Sequence, residues 1–208
     1  MIDKLIETAE AEIGVSEPTG DDKYIKYYNE TGGMNFNMKV AWCAIFVTWC
    51  KAMAGISKNI IPHFASCDVG KNWFEKRGLY KKSPAYKGDY VPKRGDIIFF
   101  SSGYTQNDST HVGIVTGVSG NAVSTIEGNT SNKVARRSYS VKSKYIIGYG
   151  VPDYKTSYNT YTVKKGDSLW RIAKEQLGSG LRYPEIMKLN NMADSVIYPD
   201  ERLYLPKV

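Results

Sequence analysis

The stretch Trp42-Cys43-Ala44-Ile45-Phe46-Val47-Thr48-Trp49-Cys50-Lys51-Ala52-Met53-Ala54 is apolar on nearly every side and stops at Gly55. A helix that is hydrophobic all round must be buried, so this segment predicts the central helix of a packed domain. Toward the amino terminus, Ile2, Leu5, Ile6, Ala9 and Ile13 recur close to helical spacing before Gly14, which predicts a helix over residues 1–13. Residues 15–40 are polar and rich in Gly and Asn, with Tyr24, Tyr27 and Tyr28 forming a short helical patch. Toward the carboxyl terminus, Ser66 is placed to cap a helix running to about Glu75, with Gly78 closing it. From about residue 90 the pattern changes. Gly95–Phe100, His111–Val115, Ala122–Ile126 and Tyr145–Tyr149 are short strand-like runs separated by Gly, Ser and Asn turns. Helices followed by strands predict an α+β fold, with amino-terminal helices packed on an antiparallel sheet.

Composition narrows the function classes. With 208 residues, 42% hydrophobic and 24% charged, the chain suits one domain of about 150 residues plus a small module. It is too apolar for a disordered chain. No run approaches the roughly 18 apolar residues that span a bilayer, so no membrane insertion is expected. Asp3, Lys4 and Glu7 fall where a signal peptide needs its apolar stretch, so the chain is expected to be made in the cytoplasm without a signal peptide. The net charge of +7 is spread along the chain, +5 over residues 1–155 and +2 over residues 156–208. Such a surface favours a polyanionic partner. Without zinc-finger spacing or an arginine-rich run, nucleic acid is not expected to be that partner.

Cys43, Cys50 and Cys67 are an odd set, which argues against a complete disulfide framework. On one helix, Cys43 and Cys50 lie about 10 Å apart along the axis, beyond the roughly 7 Å that a bridge tolerates between α-carbons. With His63 and His111 as the two histidines and no Cys-x-x-Cys pair, neither a metal nor another cofactor is expected. Asp21-Asp22 is far short of a calcium ligand set and reads as a solvated loop. The thiols are therefore either packing groups or one of them is a reagent. Cys43 falls in the first turn of the central helix, where unpaired amides and the helix dipole stabilise a thiolate. His111 heads a strand, and Glu127 or Asn129 stands near the end of the adjacent one to orient the imidazole. Cys, then His, then an acid or amide is the order used by papain-like cysteine hydrolases. Alternatives stand beside this reading. Cys43 suits a core position, and Cys50 reads as structural. Cys67, behind a helix cap with His63 four residues away, is a rival nucleophile whose blander reading is packing. Glu127 also fits a solvent-facing turn, with Asn129 in its place.

Four blocks in order carry a resemblance: Ala41-Trp42-Cys43-Ala44-Ile45-Phe46-Val47-Thr48-Trp49-Cys50, Gly95-Asp96-Ile97-Ile98-Phe99-Phe100, His111-Val112-Gly113-Ile114-Val115 and Ile126-Glu127-Gly128-Asn129-Thr130. Together, over residues 1–152, they resemble the CHAP family of cysteine, histidine-dependent amidohydrolases and peptidases. The resemblance implies a papain-like fold and hydrolysis of amide bonds in peptidoglycan. It matches Cys43 to the nucleophile, His111 to the general base, Glu127 to the residue orienting His111, and Asn129 to a further polar site residue. Ala41 departs from the proline that often precedes the Trp-Cys pair in this family. The implied chemistry is acyl transfer, with Cys43 attacking the carbonyl and His111 activating the water that releases the acyl-enzyme.

After a polar linker at residues 153–158, Tyr161-Thr162-Val163-Lys164-Lys165-Gly166-Asp167-Ser168-Leu169-Trp170-Arg171-Ile172-Ala173 reads as a strand, a capped turn and a helix facing Leu169, Ile172 and Ala173 inward. With Leu189-Asn190-Asn191 and Ile197-Tyr198-Pro199-Asp200-Glu201-Arg202-Leu203-Tyr204-Leu205-Pro206, residues 159–208 resemble a LysM domain, a small βααβ module. Asp200 stands where the family usually has glycine. The resemblance implies binding of N-acetylglucosamine-containing glycan such as peptidoglycan. The implied groove has Gly166, Asp167, Ser168 and Leu169 on one side and Ile197, Tyr198 and Pro199 on the other. Leu169, Ile197 and Pro199 equally suit core or turn positions in so small a unit.

The sequence thus leads to a peptidoglycan hydrolase whose first domain cuts and whose second holds it on the bacterial cell wall. The bond is either N-acetylmuramoyl–L-alanine or one in the stem or cross-bridge. The resemblance points to an endolysin of a phage or prophage that reaches the wall after release. A hydrolase mounted on a phage tail or conjugation apparatus, or a catalytically dead wall-binding protein, are the alternatives.

Overall fold

A computed structural model of the chain describes residues 1–16, 23–32, 34–37, 40–155, 159–190 and 192–206. Asp21, Asp22 and part of the expected linker lie outside the described residues. The chain divides into two compact units, Met1–Asp153 and Tyr154–Val208.

The first unit is an α+β structure. Its helices are α1 (Ile2–Glu10), α2 (Lys23–Gly32), α3 (Cys43–Met53) and α4 (Cys67–Glu75). Its strands are β1 (Tyr80–Lys82), β2 (Ile97–Phe100), β3 (His111–Ser119), β4 (Ala122–Thr130), β5 (Lys133–Ser140) and β6 (Ile146–Gly150). All pairings are antiparallel, in the spatial order β1-β6-β2-β3-β4-β5.

The apolar character of α3 follows from its position. It packs on β3 and β4, and α1 and α2 also contact it. Ile45, Phe46 and Val47 are fully enclosed. Its one buried hydroxyl is satisfied, because Thr48 Oγ1 donates to the Phe64 carbonyl at 2.7 Å and accepts from the Phe64 amide at 3.0 Å. Strand β2 is the most central apolar strand, and all four of its residues are buried. Beneath it, Ile98, Phe100, Val115, Val123, Ile146 and Tyr149 form a cluster flanked by Tyr90, Tyr139 and Tyr145. Both faces of β2 are therefore covered, which explains an unbroken apolar run instead of alternation.

Two glycines let the layers close. A Cβ on Gly128 of β4 would lie 2.4 Å from the Phe46 Cβ, so glycine permits α3 to sit directly against the strand. A Cβ on Gly113 of β3 would lie 2.6 Å from the Glu127 Cγ, so the side chain of Glu127 occupies the space that glycine leaves.

The second unit comprises β7 (Asn159–Thr162), α5 (Leu169–Leu177), α6 (Tyr183–Asn190) and β8 (Arg202–Leu205), with β7 and β8 paired antiparallel. It has its own core of Val163, Leu169, Ile172, Ala173, Leu177, Ile186, Leu203 and Leu205. Ser168 caps α5 by accepting from the Arg171 amide at 3.3 Å, and Gly178 ends the helix in a left-handed conformation. Asn190 ties α6 to β8: its Nδ2 donates to the Tyr204 carbonyl and its Oδ1 accepts from the Tyr204 amide. Asp200 has φ +69°, a conformation that glycine favours and Asp tolerates better than most side chains.

Candidate active site

Cys43 is the first residue of α3, with Trp42 in the cap position. Its sulfur is thus held at a helix start, where the dipole and unpaired amides favour an anion. Across from it, His111 opens β3 next to Phe100, the last residue of β2, which it faces in the ladder. Glu127 comes from β4, next to β3, and is completely buried. The three side chains line one cleft of about 370 Å³ together with Ala41, Ser102, Thr110, Asn129, Thr130, Ser131, Tyr139 and Tyr145.

The hydrogen bonds assign roles to the ring nitrogens. His111 Nε2 lies 2.9 Å from Glu127 Oε2, so Nδ1 is the ring nitrogen left for Cys43, whose hydrogen bond and charge act on the imidazole. The carboxylate is fixed from two further sides: the Thr125 hydroxyl donates to Oε1 at 2.5 Å, and the Tyr139 hydroxyl donates to Oε2 at 3.2 Å. A buried carboxylate with three partners cannot rotate freely, so the imidazole it holds is fixed in turn.

The electrostatics favour a charged pair. The Cys43 thiol is held well below its ordinary range, first by a hydrogen bond from Cys67, then by the hydrogen bond and charge of His111 and by the Ala44 amide, against the opposing effect of burial. Burial alone would depress His111; hydrogen bonds and charges from Cys43 and Glu127 overcome it and raise its pKa to about 9. Both shifts run in the direction that favours a thiolate beside an imidazolium. That combination is what nucleophilic attack on a carbonyl requires of a cysteine.

Asn129 reaches the same cleft by another route. The β4–β5 register shifts between Glu127 and Thr130, and Asn129 takes φ +53° in that irregularity. Bulges of this kind re-aim side chains beside sites. Of the two residues weighed from sequence, Glu127 is the one bonded to His111.

Cys67 occupies a place that sequence reasoning did not give it. It starts α4, and its Sγ lies 3.6 Å from the Cys43 Sγ. His63 does not serve it as a base. That imidazole stacks on Tyr28 with centroids 4.5 Å apart, its Nε2 is buried without a partner among the described residues, and burial followed by the charges of Lys51 and Lys58 lowers its pKa to about 4. Ser66 holds the cap position of α4 but makes no side-chain cap bond; the nearby carboxylate of Asp68 instead accepts from the Ser109 amide at 2.8 Å. Thr125 and Tyr139, the partners of Glu127, were also missed. The spacing of Thr125 two residues before Glu127, on the same face of a strand, was the one available signal.

In the second unit, Asp167 is committed to its own turn, with Oδ2 accepting from the Lys164 amide and the Tyr161 hydroxyl, both at 2.8 Å. Leu169 is turned into the core and Ile197 packs partly against it. Tyr198 and Pro199 are exposed, as is the backbone turn at Gly166. Among the described residues no group of His, Cys, Asp and Glu is arranged to hold a metal ion, and no helix is long and apolar enough to cross a membrane.

Comparison with protein families gives two matches, the CHAP domain over residues 35–129 and the LysM domain over residues 161–206. No curated protein matches the chain. Among solved structures, a crystal structure of Ly7917 is similar at 19% sequence identity and a TM-score of 0.43, covering 78% of this chain and 66% of that one. A structure of Ly7917 with the hydrolyzing product of MDP is similar at 18% identity and the same TM-score, again over 78% of this chain and 66% of that one.

Proposed function

From a chain that carries a CHAP domain followed by a LysM domain, we propose a peptidoglycan hydrolase that cuts an amide bond through Cys43 and is held on the wall glycan by residues 159–206. The observation that carries this reading is the thiol at the start of a buried helix, paired with an imidazole whose other nitrogen is bonded at 2.9 Å to a buried carboxylate. In this reading His111, charged at rest, passes its proton to the leaving amine after Cys43 attacks the carbonyl. It then accepts a proton from the water that releases the acyl-enzyme. Glu127 keeps the ring oriented and stabilises its charge throughout. The Cys43 amide, at the helix start, donates to the oxyanion. The substrate bond is either N-acetylmuramoyl–L-alanine or an amide of the stem or cross-bridge.

A free, endolysin-like enzyme acting at the bacterial wall fits the two-unit organisation better than one mounted on a particle. An enzyme in solution gains residence on its substrate from an anchor of its own, whereas a mounted one is delivered by its carrier. Zymography against purified sacculi tests the nucleophile. The Cys43→Ala protein, folded as judged by circular dichroism, leaves no cleared band; lysis equal to that of the unaltered protein refutes the assignment. Mass spectrometry of released fragments separates the two bond classes, since one leaves the new carboxyl on the lactyl group of the sugar and the other leaves it on an amino acid.

A further inference from the structure

Cys43 and Cys67 each begin a helix, α3 and α4, and these two helix starts bring their sulfurs to 3.6 Å. Both are free thiols, and both are buried. The hydrolytic steps above use only one of them. Cys43 lines the cleft and Cys67 does not, so a small solute entering the cleft meets Cys43 first. Cys67 stands behind it as a hydrogen-bond partner, its own thiol pushed up by that bond, by burial and by the charge of Cys43. Closing the gap to a disulfide takes a movement of about 1.6 Å between sulfurs already in contact. Cys50 is enclosed elsewhere in α3, and Glu12 and Lys23 are the charged groups that act on it.

We infer that Cys43 and Cys67 form a peroxide-reactive thiol pair, in which Cys67 captures oxidised Cys43 as a disulfide that a thiol reductant reopens. The chemistry balances on the two side chains and one peroxide. The Cys43 thiolate attacks one peroxide oxygen, the O–O bond breaks, and the departing hydroxide takes up a proton as water. Cys43 is then a sulfenic acid, oxidised by two electrons. The Cys67 sulfur attacks the Cys43 sulfur, the S–O bond breaks, and the hydroxyl leaves with the Cys67 proton as a second water. One peroxide is reduced to two waters, and two thiols become one disulfide. Without a neighbour, a sulfenic acid in an accessible cleft proceeds to sulfinic acid, which reductants do not reverse. The pair thus converts irreversible loss of the nucleophile into a reversible masking of it. This goes beyond the hydrolase reading and needs only a reactive thiolate at Cys43.

The test uses the full chain treated with hydrogen peroxide, denatured in an alkylating agent and weighed intact. The expected product is lighter than the reduced protein by two hydrogens and carries one alkyl group, on Cys50. Cleavage after Lys39, Lys51, Lys58 and Lys71 puts Cys43 and Cys50 on one peptide and Cys67 on another, so the crosslink is read directly as a joined pair fragmenting at Cys43. Dithiothreitol returns the mass and any lytic activity to the starting values. In Cys67→Ser the same treatment leaves Cys43 heavier by two oxygens, and dithiothreitol restores nothing. Should that variant not fold, the unaltered chain alone decides. Sulfinic acid at Cys43 with Cys67 alkylated, or a bond joining either residue to Cys50, overturns the inference. The masses depend on no substrate, so a crosslinked protein that never lysed sacculi would uphold the pair and reject only the proposed hydrolysis.

Discussion

At the scale of single residues, the site is a proton inventory. The pKa of His111 stands at about 9, while the Cys43 thiol is held well below its usual range. These opposite shifts favour the reactive ion pair in the window between them, and the two limbs belong to the coupled pair rather than to either group alone. Lysis is expected to stay high through neutral pH and to fall as pH rises through about 9, where the imidazolium loses its proton. Glu127→Gln removes one of the groups that raise the histidine, so the alkaline limb moves to lower pH. The same change lowers kcat on the order of a hundredfold through lost orientation. A pH–rate profile of both proteins on sacculi checks this, and an unmoved alkaline limb in the variant would remove Glu127 from the role of holding a charged ring. The placement of Cys43, His111 and Glu127 at an element end or on a strand was readable in the sequence because each stands beside an apolar run. The meeting of Cys67 with Cys43 was not. It joins residues 24 positions apart through the crossing of two helices, and local pattern holds no information about that.

At the scale of elements, what was legible divides by burial. Strand β2 is buried throughout and helix α3 everywhere but Trp49, Ala52 and Met53, so their composition alone announced them. The strands missed from sequence, β1 and β5, are the two edges of the sheet. Tyr80-Lys81-Lys82 and Lys133-Val134-Ala135-Arg136-Arg137 carry the exposed charges that keep edges from pairing with other chains, and those same charges hid them from a hydrophobic pattern. Between these edges, the active-site geometry depends on strand separation at Gly113. A methyl there would meet the Glu127 Cγ at 2.6 Å and the Ile126 carbonyl at 3.2 Å. Gly113→Ala therefore displaces the carboxylate rather than the substrate-facing wall. The expected result is a fall in kcat of roughly ten- to hundredfold with KM changed little, together with about 1–3 kcal/mol of lost stability from overpacking. Steady-state kinetics and urea unfolding measure the two separately. A variant with unchanged kcat would show that the position of Glu127 is not what limits the reaction.

At the scale of the whole molecule, the proposed reading gives cutting to one unit and attachment to the other, each with its own core, and charge complicates the division. Removing residues 156–208 takes away only +2 of the net +7, so the first unit keeps most of its attraction for an anionic wall. Truncation therefore removes less binding at low salt, where screening is weak and long-range attraction persists, than at high salt. The informative comparison is made at two ionic strengths. At low salt the truncated protein is expected to retain part of its activity on sacculi. Near 1 M salt, where the screening length is about 3 Å, the charge-driven part of that activity should fall away, while the full chain loses less than about threefold because groove contacts are short-range. On a small soluble fragment of peptidoglycan, which no anchor can concentrate, the two proteins should agree within about twofold at either salt. Turbidity loss of sacculi and fragment release by chromatography supply the rates. If the truncated protein matches the full chain on sacculi at high salt, the second unit is not what holds the enzyme to the wall.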